Sequence, residues 1–411
     1  MGKSKVFLRS VHTLLAVGIV CEYNPFHRGH RYLIEESRRR LGEDTAVICA
    51  MSGDFVQRGE AALFEKFTRA EAACRAGADL VVELSLPWCL SSAEGFASGA
   101  VAMLTALGCD TLAFGSESGD AGALESLAAY LLSPDALTDI RRRMDADATL
   151  SFARARQLSA QAALGDAALL LNRPNDILGV EYLKAIRKSG ADGKPLIVRR
   201  EGGGHDSRGE GVFRSAMQLR EMFRAGEDPA PYIPAAAMAV YRSAAEAGQI
   251  RDDCLLETAL LSRLYSVKSE AFDTLPDAGG GTGRRLYSAV RNGGGMEQIA
   301  AAASSKRFTN ARMRRMLLCA ALGVCAEDTK GAPPYIRVLA VNEKGRALLR
   351  ERGEQSTIPV LTKPAAARAL GERAEKIFTL GAGAHDLYRL GCASRAGMQP
   401  DADWRRNPAI V

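Results

Sequence analysis

Nine cysteines are spread over 411 residues, at positions 21, 49, 74, 89, 109, 254, 319, 325 and 392, and no two form a C-x-x-C pair. An odd, patternless set argues against a zinc site. It fits free, buried thiols in a reducing compartment. No apolar run reaches the length of a membrane span. The G-x-x-x-x-G-K-[ST] phosphate loop is missing. Neither a Ser-His-Asp set nor a glycosidase-type carboxylate pair stands out, and there is no solenoid repeat. A large excess of one charge is also lacking. The net charge is +6 and the pI near 8.8, which permits nucleic-acid binding without requiring it. Lys3, Lys5 and Arg9 ahead of Leu14 to Cys21 loosely imitate a signal peptide, but the apolar run is short and is cut by Glu22. Residues 1–12 therefore read as an N-terminal extension, and the expected location is the cytoplasm, with no membrane partner.

What is present is an ordinary globular composition, 47% hydrophobic and 25% charged, in a chain long enough for two or three domains. The most informative stretch is Val20-Cys-Glu-Tyr-Asn-Pro-Phe-His27-Arg-Gly29-His30-Arg-Tyr-Leu33. Leu14 to Val20 before it reads as a buried strand and Gly29 to Arg40 after it as a helix. His27-x-Gly29-His30 is thus an H-x-G-H pattern at a strand-to-helix turn. A helix N-terminus offers amide donors and the positive end of its dipole to phosphate. Gly29 lets the backbone approach closely. Two imidazoles donate to phosphoryl oxygens as charge builds in a transition state. The alternatives at this point are a metal-binding pair and a purely structural role.

Further along, Thr45 to Ala50, Leu80 to Leu86 and Thr111 to Phe114 read as strands. They alternate with helices at Phe67 to Gly77 and Ala93 to Leu107. Such alternation predicts a parallel sheet covered on both faces, with ligands at the carboxyl ends of the strands. Leu124 to Leu171 reads as helical, Leu196 to Val198 as another strand, and the second half as mostly helical with a late strand at Tyr335 to Val341. The expected fold is α/β: a Rossmann-like parallel-sheet domain over 13–230, then a mostly helical C-terminal domain over 231–411.

Other segments fit the same site. Met51 to Gly59 leaves a strand end as either a wall over a nucleotide or a turn. Lys66 and Arg69 either face phosphate or are solvated. Gly115-Ser116-Glu117 ends a strand, as a nucleotide platform or a tight turn. Asn175 either reads a base edge or caps the helix behind Pro174, and Arg199 with Arg200 suits triphosphate charge. Arg141 to Arg143, and Lys306, Arg307, Arg312, Arg314 and Arg315, are basic clusters on predicted helices. They are either solvated faces or contacts to RNA phosphates.

Taken together these runs closely resemble the bacterial tRNA(Met) cytidine acetate ligases, of the H-x-G-H nucleotidylyl transferase superfamily. The matching runs are Val17 to His30, Met51 to Glu60, Phe67 to Glu71, Gly77 to Leu84, Phe114 to Glu117, Pro174 to Tyr182, Arg199 with Arg200, Lys306 to Arg312 and Tyr335 to Gly345. The resemblance implies that acetate and ATP, together with Mg²⁺, give acetyl-adenylate and pyrophosphate. The acetyl group then passes to N4 of the wobble cytidine of elongator tRNA(Met), giving N4-acetylcytidine. It implies ATP contacts at Val20, Cys21, Glu22, Tyr23, Asn24, Pro25, Phe26, His27, Arg28, Gly29, His30, Arg31, Tyr32, Leu33, Gly115, Asn175, Arg199 and Arg200. His27 and His30 would be catalytic, and no protein metal ligands are assigned. The stretch Gly202 to Asp206 and the Gly-rich segment 279–283 depart from the family pattern. Two other readings stand beside this one: an H-x-G-H nucleotidylyl transferase for a small metabolite, and a non-catalytic RNA-binding protein that holds ATP structurally.

Overall fold

The computed structural model describes residues 14–190, 193–200 and 213–411. The expected extension 1–12 and the Gly202 to Asp206 stretch lie outside the described residues. The described residues form ten strands: β1 (Ala16–Cys21), β2 (Ala46–Ser52), β3 (Phe55–Val56), β4 (Glu60–Ala61), β5 (Leu80–Leu84), β6 (Thr111–Ser116), β7 (Lys194–Arg199), β8 (Ile336–Val341), β9 (Val360–Leu361) and β10 (Ala409–Ile410). The main sheet runs β10-β8-β5-β2-β1-β6-β7, with β9 also on β8, and β3 and β4 form a separate hairpin. All main-sheet pairings are parallel except β5 with β8. β1, β2 and β5 are apolar nearly throughout because helices cover both faces of the sheet. Ala46, Ile48 and Ala50 of β2 join the core shared with helices Ala93–Ala106 and Pro174–Ser189. Val47, Cys49 and Met51 join the core of helices Arg28–Leu41 and Lys66–Arg75.

The chain order of the strands reverses beside β1: β2 lies on one flank and β6 on the other. Such a reversal opens a crevice at the carboxyl ends of the strands. The H-x-G-H turn leaves β1 there. The expected division at residue 230 is crossed by the sheet, since β8, β9 and β10 return from the C-terminal half to extend it past β5.

Buried charges fasten that return. Lys66 Nζ lies 2.8 Å from Glu83 Oε1 and 2.7 Å from Asp403 Oδ2, and Arg337 donates to Asp403 at 2.5 Å. Lys66 and Arg69 are thus neither phosphate-facing nor solvated: they are 1% and 0% exposed. Arg69 donates to the backbone carbonyls of Glu22, Ser52, Gly53 and Phe64, tying the ends of β1 and β2 together. Beside this cluster His385 Nδ1 meets Asp54 Oδ2 at 2.8 Å, with Glu65 3.8 Å from Nε2.

Burial pushes the His385 imidazole down, but the charge and hydrogen bond of Asp54, helped by Asp403, outweigh it and raise its pKa. Burial pushes Asp54 up, and His385, Lys66 and Arg69 override this to hold it at about 2. A raised histidine pKa gives stability that is complete below the unfolded value, about 6.5, and is lost as pH rises through the folded value. The melting-temperature advantage of the wild type over His385→Gln therefore shrinks as pH rises above about 6.5. Thermal melts of both proteins from mildly acidic to alkaline pH check this; a constant difference rules out the charged pair.

Candidate active site

Helix Arg28–Leu41 starts immediately after His27, which is its N-cap in extended conformation. His27 Nδ1 accepts from Gly29 N–H at 3.0 Å, and His27 N–H donates to His30 Nδ1 at 3.2 Å. The two rings stack with centroids 3.7 Å apart, and Tyr23 and Phe26 pack against His30. Because both Nδ1 atoms accept, each neutral ring carries its proton on Nε2. Burial, then the charge of Arg200, lowers the His27 pKa to about 3. Burial, His27 and Arg200 lower that of His30. The turn therefore presents two neutral Nε2–H donors beside a guanidinium at a helix N-terminus, an arrangement suited to an anion. It does not suit a metal pair, because ligation through Nε2 needs the proton on Nδ1. Among the described residues no three His, Cys, Asp or Glu side chains group to hold a metal ion.

The rest of the Val20 to Leu33 run divides clearly. Cys21, Tyr23 and Phe26 are core side chains, and Val20 and Leu33 pack against the core. Any nucleotide contact by Cys21, Tyr23 or Phe26 would go through the backbone. Asn24 Oδ1 accepts Leu63 N–H at 2.8 Å, Pro25 is buried, and Arg31 pairs with Glu35 at 2.6 Å. Arg28 is exposed, and Tyr32 faces Phe213 with ring centroids 6.4 Å apart. Tyr23 takes φ 46, a left-handed value that only a firmly held turn imposes on a tyrosine. Arg69, gripping the carbonyl of Glu22 next to it, supplies part of that hold.

Across the crevice, the end of β6 and the start of helix Pro174–Ser189 are locked reciprocally. Glu117 accepts from Asn175 N–H and Asp176 N–H, each at 3.1 Å, and from Asn175 Nδ2 at 2.6 Å. Asp176 accepts from Ser116 Oγ at 2.5 Å and from the N–H groups of Glu117 and Ser118. Asn175 thus neither caps its own helix nor stands free: Glu117 caps it, as a carboxylate suits a helix N-terminus. Gly115 is where Arg200 crosses the strand; a Cβ there would sit 3.1 Å from Arg200 Cγ. The arginine pair is split by strand alternation. Arg200 reaches toward His27 and His30, whereas Arg199 packs on Gly119 and lines a cavity of about 530 Å³ with Glu117, Ser118, Asp166 and Arg173.

The loop after β2 is a hairpin, β3–β4, and its turn touches helix Asn310–Leu322. Gly59 has φ +77, and a Cβ on it would lie 2.8 Å from Arg315 N and 2.9 Å from Arg314 Cβ. Only glycine fits both demands. Within the adjoining basic cluster Lys306 and Arg307 are exposed, Arg314 pairs with Glu297 at 3.4 Å, and Arg315 turns inward to Asp277. In the other cluster Arg143 pairs with Asp139 at 2.7 Å, as a solvated face does. What sequence reasoning missed is Glu117's capping role, Asp176, the structural roles of Arg69 and Lys66, and Asp403. Asp176 alone left a trace, as the acid in the first turn behind Pro174.

The sequence model of the HIGH Nucleotidyl Transferase family matches residues 14–401. The tRNA(Met) cytidine acetate ligase of Syntrophotalea carbinolica is 37% identical over 360 residues, 84% of each chain. That of Caldanaerobacter subterraneus is 35% identical over 386 residues, covering 91% of this chain and 95% of its own. The crystal structure of Thermotoga maritima TmcAL bound with alpha-thio ATP superposes with a TM-score of 0.88 at 28% identity, covering 97% of this chain and all of that one. Sequence and fold agree from one end of the sheet to the other: the chain belongs to the tRNA(Met) cytidine acetate ligase family of HIGH nucleotidyl transferases.

Proposed function

We propose that the chain forms acetyl-adenylate and pyrophosphate from acetate and ATP, then transfers the acetyl group to N4 of the wobble cytidine of elongator tRNA(Met). The observation that carries the first step is the neutral, stacked His27–His30 pair beside Arg200 at a helix N-terminus. An acetate carboxylate is already a nucleophile, so in-line attack on the α-phosphate needs positioning and charge stabilisation rather than a strong base. The Nε2–H donors of His27 and His30 stabilise the phosphoryl oxygens, Arg200 and the amides of helix Arg28–Leu41 hold the triphosphate, and the cavity lined by Arg199 takes the nucleoside end. Mg²⁺ carried on the ATP phosphates would help to neutralise the triphosphate charge beside Arg200.

Residues 13–230 then form the ATP-binding part and 231–411 the tRNA-binding part, with exposed Lys306 and Arg307 contacting RNA phosphate. The Gly59 contact joins that basic helix to the site. The wobble base leaves the anticodon stack to reach the mixed anhydride, and a tRNA substrate implies work in the cytoplasm. A small-metabolite transferase would have no use for this helical half. The test is acetate-dependent ATP–pyrophosphate exchange, followed by nucleoside analysis of purified elongator tRNA(Met). Exchange together with N4-acetylcytidine is the expected result. Exchange without modified tRNA returns the reading to a small acceptor, and no exchange with any acid removes it.

A further inference from the structure

The second half-reaction must remove a proton from N4, and neither histidine is placed to take it while both serve the phosphates. Glu22 follows the last residue of β1 and stands on the opposite flank of the H-x-G-H turn from Arg200. Its Oε1 accepts Gln57 N–H at 2.9 Å, and among the described residues its Oε2 has no hydrogen-bond partner. The groups facing it are Arg58 and Glu60 of the hairpin, Arg220 of helix Ala216–Ala225, and the hydroxyl of Tyr182. Arg220 holds this niche by donating to Asn24 O at 2.9 Å and to Glu60 at 3.1 Å. The same hairpin carries Gly59 against the basic helix, so this flank is the one an RNA acceptor reaches first.

We propose that Glu22 is the proton acceptor of acetyl transfer, a role that rests on the acetate-ligase reading above. N4 attacks the acetyl carbonyl carbon of acetyl-adenylate. The C–N bond forms, the carbonyl C–O bond to phosphate breaks, AMP leaves with the electron pair, and the N4 proton passes to Glu22. Burial, reinforced by Glu60, raises this carboxyl above its ordinary value against the pull of Arg58, the Gln57 amide and Arg220. That shift moves it toward the pH at which a general base works best.

The experiment separates the two half-reactions in Glu22→Gln. Because Glu22 lies in the nucleotide-binding run, both half-reactions are read at saturating ATP: single-turnover transfer from acetyl-adenylate to elongator tRNA(Met) falls about 10²-fold, a larger drop than that of acetate-dependent ATP–pyrophosphate exchange in the same preparation. The wild-type transfer rate rises with pH through the raised carboxyl value, the glutamine variant lacks that limb, and Glu22→Asp restores part of the rate. Transfer near the wild-type rate in Glu22→Gln overturns the proposal. So does an equal fall in both half-reactions, or a wild-type profile without the limb, which needs no variant to fold. If the wild type shows no acetate-dependent exchange, the acetate-ligase reading fails first and takes this role with it. If wild-type exchange and transfer are intact and only the Glu22 outcomes fail, that reading stands.

Discussion

His30→Ala lowers acetate-dependent ATP–pyrophosphate exchange by about 10²-fold or more while the protein stays folded. The substitution removes one of the two Nε2–H donors and the ring that stacks on His27 at 3.7 Å. It also removes the acceptor for His27 N–H, but the cap formed by His27 Nδ1 and Gly29 N–H remains. The stability cost is then about 1 kcal/mol, in line with the loss of one capping contact. That is small against the 5–15 kcal/mol of a typical domain. Exchange assays with a thermal melt on the same preparation check both halves of the expectation. Near-normal exchange in a folded variant would return the pair to a structural role.

The largest effect on stability falls far from the turn. Asp403→Ala leaves Lys66 and Arg337 buried with Glu83 as their shared carboxylate. Removing one partner of a buried ion cluster costs about 3–5 kcal/mol, because two cations then share one carboxylate and one positive charge is left uncompensated and unhydrated. Both cations are 3% exposed or less, so solvent does not relieve them. Denaturant unfolding should show a midpoint shift of that size. A loss below about 1 kcal/mol would mean that the cluster opens to water as a surface pair does.

The difference between these two regions explains what the sequence disclosed. The H-x-G-H turn is local: strand, turn and helix lie within residues 16–41, and each element follows from its own apolar pattern and cap. The parallel sheet was legible for the same reason, since strands alternating with helices at short spacing leave little choice of topology. The antiparallel insertion of β8 beside β5 was not legible, because nothing in Ile336–Val341 names its neighbour. Lys66 read as either phosphate-facing or solvated because its partner Asp403 is 337 positions away. Asn175 looked like a cap or a base reader; Glu117, 58 positions earlier, decides its amide. Arg199 and Arg200 looked like one clamp until strand alternation sent them to different sides of β6.

The distance in sequence between Lys66 and Asp403 sets an order of events during synthesis. The helix that carries Lys66 emerges early, but its charge is neutralised only when the last turn of the chain has folded back beside β8. Contacts of such long separation form late. A half-made polypeptide therefore holds the histidine turn without its foundation. The surroundings of that turn are complete only once Asp403, 337 positions beyond Lys66, has folded back against them.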